Sequence, residues 1–181
     1  MLTPFQQRKL TRYFNCLDLD ANGFFEQDDV DLIVERLTTK RGLDKGSEEY
    51  ATIETTIGMI WQNARDLGIT KDPDKVTLAD WLAHEDVVLS SEEWREDYMR
   101  KVTRAVFDLF DADGSGDISI EEYTDIMTSF GVAEGIPEWS FQYLDLNGDG
   151  EISRDEFVTI VEQFHLSEDL DAPGNYLFGP Y

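Results

Sequence analysis

Asp111-Ala112-Asp113-Gly114-Ser115-Gly116-Asp117-Ile118-Ser119-Ile120-Glu121-Glu122 is the stretch on which the reading of this chain turns. Oxygen-bearing side chains stand at its first, third and fifth places, Gly116 at the sixth, Ile118 at the eighth and Glu122 at the twelfth. A loop wrapped around one hard cation turns alternate side chains inward, and Ca2+ takes about six to eight oxygens at about 2.3–2.6 Å. Asp111, Asp113 and Ser115 would give side-chain oxygens, Asp117 its backbone carbonyl, and Glu122 both carboxylate oxygens. Gly116 permits the sharp bend that a Cβ obstructs. Ser119, at the ninth place where water often intervenes, also opens a Ser-x-x-Glu capping box for a following helix.

The pattern recurs 34 residues later. Asp145, Asn147, Asp149 and Glu156 hold the side-chain ligand places, Glu151 the carbonyl place, Gly150 the bend and Ser153 the cap. Both stretches match the 12-residue EF-hand loop. Tyr123, Ile126, Met127 and Phe130 repeat at helical spacing after the first; Phe157, Ile160, Val161 and Phe164 do so after the second. That periodicity sets these loops apart from ordinary solvated Asp-Gly turns. A third copy lies near the N-terminus, with Asp18, Asp20, Asn22, Phe24 through its carbonyl, Glu26 and Asp29 as candidate ligands around Gly23. Leu10, Tyr13, Phe14 and Leu17 precede it, and Val30, Ile33, Val34 and Leu37 follow, each set on one helical face. Asp29 is one methylene shorter than Glu, which makes bidentate closure harder. This site is expected to be weaker or less selective for Ca2+ over Mg2+, with Glu26 compensating by reaching the ion directly.

EF-hands pair, because the short strand inside each loop needs a partner for its backbone groups. Three copies therefore predict a fourth, and residues 69–80 align to the pattern with Val76 as the strand residue. Ile69, Lys71 and Pro73 take the first three ligand places without a side-chain oxygen, and Asp74 replaces the bend glycine. This hand is expected to be silent. Ser47 caps a helix carrying Tyr50, Ile53, Ile57, Ile60, Trp61, Ala64 and Leu67. A link through Val87–Leu89 is expected to reach a Ser90/Glu93 capping box, followed by a long helix with Trp94, Tyr98, Val102, Val106 and Phe110. Pro137 opens the helix bearing Trp139, Phe141, Tyr143 and Leu144, and residues 40–46 read as an exposed connector. The expected fold is all-α: eight helices forming four helix-loop-helix units in two paired lobes, 1–89 and 90–181, with short antiparallel strands between loops.

The composition fits this picture. Of 181 residues, 39 are acidic and 15 basic, for a net charge of -24, which argues against nucleic acid or an anionic membrane as partner. The three complete loops hold 15 acids and one base, Arg154, so most of the imbalance is their ligand chemistry. With 41% hydrophobic and 12% aromatic residues the chain has ample apolar surface to fold. Its single cysteine, Cys16, excludes an internal disulfide or a thiolate metal cluster and is expected to be a small apolar helix residue. No signal peptide is legible and no run of about 18 apolar residues occurs, so a cytoplasmic monomer is expected. No nucleophile-base set or phosphate loop is legible, which points to a binding protein and not an enzyme.

The order of hands and the tail resemble the sarcoplasmic calcium-binding protein group, with calexcitin and the bacterial calerythrins. The resemblance rests on an acid-ended first loop, a silent second, complete third and fourth loops, and Asp171-Ala172-Pro173-Gly174-Asn175-Tyr176-Leu177-Phe178-Gly179. It implies a compact cytosolic Ca2+ binder acting as a buffer. Independently of the resemblance, residues 172–181 carry no charge and several large apolar rings, so they are expected to pack across the core. Two other functions remain open. A dedicated Ca2+ sensor would need a partner protein, and the four methionines are few for an adaptable groove. The related photoproteins and luciferin-binding proteins place a His after the fourth loop, where this chain has Val161. His165, one turn further, is expected to be a helix-end cation.

Overall fold

In a computed structural model the chain is described except at residues 67, 68 and 71 and in the side chains of residues 66 and 93–100. The expectations for Leu67, Lys71, Glu93, Trp94 and Tyr98 lie outside the described residues. Helix α1, Pro4–Leu17, starts at Thr3, whose Oγ1 accepts the Gln6 N–H at 3.3 Å while Gln6 Oε1 accepts the Thr3 N–H at 3.0 Å. It runs into strand β1, Phe24–Glu26, and helix α2, Gln27–Lys40. Helix α3, Glu48–Asp66, is capped as expected, with Ser47 Oγ accepting the Tyr50 N–H at 3.1 Å. Strand β2, Lys75–Thr77, leads to helix α4, Leu78–Ser90, and helix α5, Glu92–Phe110. The second half repeats the plan: β3, Asp117–Ser119; α6, Ile120–Ser129; α7, Ile136–Leu144; β4, Glu151–Ser153; α8, Arg154–Leu166. A short 3-10 turn, Pro173–Tyr176, follows.

The strands pair as the hydrophobic pattern requires. β1 and β2 run antiparallel with Phe25 opposite Val76, and β3 and β4 with Ile118 opposite Ile152. Each of these four side chains is at most 1% exposed. The silent hand is therefore the structural partner of the first loop. The helices bury the stripes read from the sequence: Leu10, Phe14 and Leu17 on α1, Ile33 and Leu37 on α2, Ile57 and Trp61 on α3, Phe157, Ile160 and Phe164 on α8. One apolar core joins both halves. Across it α1 meets α4 and α8, α2 meets α6, and α3 meets α5. The connector after α2 is less idle than expected. Lys40 Nζ donates to Thr128 Oγ1 on α6, and Arg41 donates to the Leu109 carbonyl at 3.0 Å at the end of α5.

Two expectations need correction. Val87–Leu89 is not a link but the last turn of α4, and Ser90 is its final residue. No Gly or Pro interrupts this run, and Val88 is buried, so core packing carries the helix on to an extended break at Ser91. His165 is buried, not an exposed helix-end cation. Its Nδ1 lies 2.8 Å from the Val161 carbonyl, and burial lowers its pKa, so it sits as a neutral imidazole inside the core.

The tail packs as its composition demands. Phe178 stacks on Tyr13 at 4.1 Å and meets Phe164 edge-on at 5.1 Å, and the Tyr123 hydroxyl donates to the Leu177 carbonyl at 2.8 Å. Gly174 presses onto α8: a Cβ there would come within 2.3 Å of the Ile160 carbonyl oxygen. The tail is pinned by Lys9, which is fully buried and donates to the Gln163 carbonyl at 3.1 Å, the Ser167 carbonyl at 3.0 Å and Asn175 Oδ1 at 2.8 Å. Burial pulls the Lys9 pKa down to about 8 from the ordinary value of 10.5. Between these values the unfolded chain binds more protons than the folded one, so stability rises with pH across that window. Urea unfolding at pH 8 and pH 10 should show a higher midpoint at pH 10 in the native protein and no such rise in Lys9→Met. Above pH 10 the buried hydroxyls of Tyr13 and Tyr123, both pushed up by burial, act in the opposite sense.

Candidate metal centres

Each complete loop is folded by its own acids. In the fourth, Asp145 Oδ1 accepts the Gly148 N–H at 2.7 Å and Oδ2 the Gly150 N–H at 2.8 Å, so the first ligand place holds the turn closed. Asp149 lies at the fifth place, where its N–H donates to Asn147 Oδ1 at 2.8 Å. Gly150 has φ +94 and Gly116 φ +97, a left-handed conformation that side chains resist. The closing carboxylate is held from both ends of the loop. Glu156 Oε1 accepts the N–H groups of Leu146 and Asn147, each at 3.0 Å, while Oε2 accepts Ser153 N–H at 2.9 Å and Ser153 Oγ–H at 2.7 Å. Glu151, at the carbonyl place, opens β4.

The third loop has the same construction. Glu122 Oε1 accepts from Ala112 and Asp113, and Oε2 from the backbone and hydroxyl of Ser119 at 2.8 Å each. Asp111 Oδ2 accepts the Gly116 N–H at 3.1 Å. Ser115 Oγ–H donates to the Asp117 carbonyl at 3.0 Å, which brings the fifth and seventh ligand places together. Hydrogen bonds from Ser115 hold the Asp113 carboxyl below its ordinary pKa, favouring the anion that a cation needs.

The first loop follows the plan with a shorter closing arm. Asp29 Oδ1 accepts the Leu19 N–H at 2.8 Å and Oδ2 the Glu26 N–H at 3.0 Å. Asp29 is only 2% exposed, and burial raises its pKa against the pull of these hydrogen bonds. Asp18 accepts from Asn22 and Gly23, and Asn22 in turn accepts from the Phe24 N–H. Asn22 Nδ2 donates to both Asp20 and Glu26 at 3.0 Å, so Glu26 does lean over the loop from the ninth place. Among the described residues two acidic trios bring ligand oxygens within 4.8 Å of one another: Asp18, Asp20 and Asp29, and Asp111, Asp113 and Glu122. The fourth loop has Asn147 in place of the third-position acid. The donors in all three loops are hard oxygens, the set that suits Ca2+ and Mg2+.

Residues 100–162 match the family model of an EF-hand domain pair. They carry both EF-hand loops of the second half. No curated protein matches the sequence. The whole chain takes the fold of solved EF-hand proteins. The calcium-loaded apo form of the coelenterazine-binding protein from Renilla muelleri superposes with a TM-score of 0.72 at 23% identity, covering 99% of this chain and 100% of that one. The photoprotein mitrocomin from Mitrocoma cellularia gives 0.72 at 23%, covering 99% and 92%. A Streptomyces coelicolor calcium-binding protein gives 0.67 at 19%, covering 97% and 99%.

Two contributors to the first EF-hand escape sequence reading. Ala21 takes the fourth loop place at φ +58, where the third and fourth loops have Gly114 and Gly148 at φ +72 and +78. A Cβ in this conformation costs about 1 kcal/mol. The signal was in the sequence, since of the three complete loops only this one lacks glycine at that place. The second contributor is Lys75 of the silent hand, which faces Glu26 across the β1–β2 ladder and pairs with its Oε2 at 3.2 Å. Its ammonium competes with a cation for the ninth-place carboxylate. Removing a half-exposed pair of this kind changes energies by about 0.2–1 kcal/mol. Lys75→Met should therefore raise the Ca2+ affinity of the first loop up to about fivefold, read by calorimetric titration, with the other two loops unchanged.

Proposed function

We propose that this protein is a Ca2+ buffer or Ca2+/Mg2+-responsive binding protein, not an enzyme, of the kind found in the sarcoplasmic calcium-binding protein, calexcitin and calerythrin group. The observation that carries the reading is the closing carboxylate of each complete loop, held by backbone N–H groups at both ends of that loop. A preorganised oxygen cluster spends little of its binding energy on ordering the chain. The three ligand sets are Asp18, Asp20, Asn22, Phe24, Glu26 and Asp29; Asp111, Asp113, Ser115, Asp117 and Glu122; and Asp145, Asn147, Asp149, Glu151 and Glu156. The described residues of the silent hand offer no such set: Asp72 and Asp74 are exposed, and Asp72 Oδ1 accepts the Asp74 N–H at 3.0 Å.

Buffering is favoured over sensing by the tail. A sensor opens an apolar groove to its target, and here Leu177 and Phe178 already occupy the core between α1, α6 and α8. A luciferin-binding role is less supported. The internal apolar cavity lined by Tyr13, Val106, Phe110, Phe157, Val161 and His165 holds about 50 Å3, room for one or two waters.

Isothermal calorimetry is the direct test. Ca2+ titration should find three sites, and about millimolar Mg2+ should weaken the first while leaving the third and fourth loops. Asp80→Asn, in the silent hand, should leave the stoichiometry at three. Four sites, or one, would overturn the assignment. A large Ca2+-dependent gain in the fluorescence of an apolar-surface dye would sink the pure-buffer reading in favour of a sensor.

A further inference from the structure

The outer face of α7 is apolar where the fold does not require it. Trp139 and Tyr143 leave 36% and 41% of their surface in water, while Phe141 and Leu144 of the same helix are buried. Their inner edges are covered by the tail. Tyr176 meets Trp139 edge-on at 5.3 Å and Tyr143 at 4.5 Å, and Trp139 and Tyr143 touch at 4.9 Å. Tyr181 continues the strip at 6.2 Å from Tyr176 and is itself 38% exposed; beside it is Leu170, 57% exposed. At about 150–250 Å2 per aromatic ring, the exposed parts of Trp139, Tyr143 and Tyr181 leave on the order of 250 Å2 of aromatic surface in water, with the half-buried Tyr176 joining them.

The charge around the strip is one-sided. Residues 133–181 hold eleven acids and one base, Arg154, which is engaged by Asp108 at 2.8 Å. Glu138, Asp169 and Asp171 are exposed along the strip. A Ca2+ in the fourth loop would leave this region at about -8, so the field stays negative in either state. Arg8 and Arg12 flank Tyr181 at the far end and bound the negative stretch there.

We propose that the strip formed by Trp139, Tyr143 and Tyr176 docks a basic amphipathic helix of a partner protein. Tryptophan and tyrosine faces attract Arg and Lys through their quadrupoles, and the surrounding carboxylates strengthen and orient that attraction. The patch is smaller than the roughly 800 Å2 each partner buries in a standard protein interface, so it fits one helix better than a second copy of the chain. A second copy would also bring two strongly acidic surfaces together. This surface is distinct from any groove between paired hands and does not depend on the buffer or sensor reading.

The test uses the full-length, Ca2+-loaded protein and a labelled amphipathic peptide of Leu and Arg, about 18 residues long, with a scrambled isomer of equal charge, followed by fluorescence anisotropy at about 0.15 M salt. The helix should bind at least about tenfold tighter than its isomer. Trp139→Ala/Tyr143→Ala should weaken it about 10- to 100-fold, and Val87→Ala, an exposed apolar residue on α4, should not. Should the double variant lose fourth-loop Ca2+ binding, Trp139→Lys replaces it and should weaken binding by like-charge repulsion. Equal binding of the two isomers, unchanged affinity in the α7 variants, self-association of the native protein that these variants abolish, or adsorption to vesicles of anionic lipid would each overturn the proposal.

Discussion

Glu156→Gln should lower the Ca2+ affinity of the fourth loop at least about 100-fold and remove it from the titration as a resolvable site. Its carboxylate accepts four hydrogen bonds, two from the second and third loop residues and two from Ser153. Glutamine has one acceptor oxygen in place of two. Its amide group must face either the Leu146 and Asn147 N–H donors or Ser153, and it supplies one oxygen to the ion. Hydrogen bonds to a charged group are worth about 1.5–3 kcal/mol each, and about 2.7 kcal/mol already corresponds to a factor of 100. The third loop should keep its site in this variant, and Glu122→Gln should give the reciprocal result. An unchanged stoichiometry in either variant would mean that the twelfth residue does not close the site. Losing a bound ion also removes its linked stabilisation, about 2.7 kcal/mol when Ca2+ stands at 100 times Kd, so the variant should unfold earlier in urea at saturating Ca2+.

Asn175→Ala should destabilise the fold strongly although the residue lies outside the loops. Asn175 is fully buried. Its Oδ1 accepts from the Lys9 ammonium at 2.8 Å, and its Nδ2 donates to the carbonyls of Asp169 at 2.8 Å and Leu170 at 3.2 Å. Alanine leaves a buried cation short of an acceptor and two carbonyls without that donor. Losing a hydrogen bond to a charged group costs about 1.5–3 kcal/mol and orphaning buried polar groups about 1–3 kcal/mol more, together about 3–5 kcal/mol. With a urea slope of about 2 kcal/mol/M, the midpoint should fall by roughly 1.5–2.5 M. Asn175→Asp, which keeps the acceptor for Lys9 but loses the amide donor, should recover part of that loss. A shift below about 0.3 M in Asn175→Ala would show that the tail is not fastened at this residue.

What could be read from the sequence, and what could not, divides by distance along the chain. The EF-hand loops were legible because their chemistry is local: twelve residues fix the ligands, the bend and the cap of the next helix. The silent hand was legible for the same reason, since Val76 and Thr77 keep the strand and the cap after the ligands have gone. The four strands paired in the expected register because Phe25, Val76, Ile118 and Ile152 had one apolar face to bury. Lys9 and Lys75 were not legible. A lysine in an amphipathic helix normally lies in water, and only the tail, 166 residues away, turns Lys9 into a buried anchor. His165 was misplaced for the same reason, because Tyr13 from α1 and Leu177 and Phe178 from the tail, all distant in sequence, line the apolar space it faces. The stop of α4 was misjudged because two serines in a row offer two places for a cap, and burial of Val88 chose the later one.

The Lys9–Asn175 contact also has a consequence during synthesis. Its two residues lie 166 positions apart, and at about 5–20 residues per second the first waits roughly 8–33 s for the second. Throughout that interval Trp81 and then Phe164 can meet Tyr13 edge-on, but the ring face that stacks on Phe178 has no partner from the tail. A ribosome-bound chain stalled before residue 172 should therefore present that face to chaperones and proteases, whatever the Ca2+ level around it.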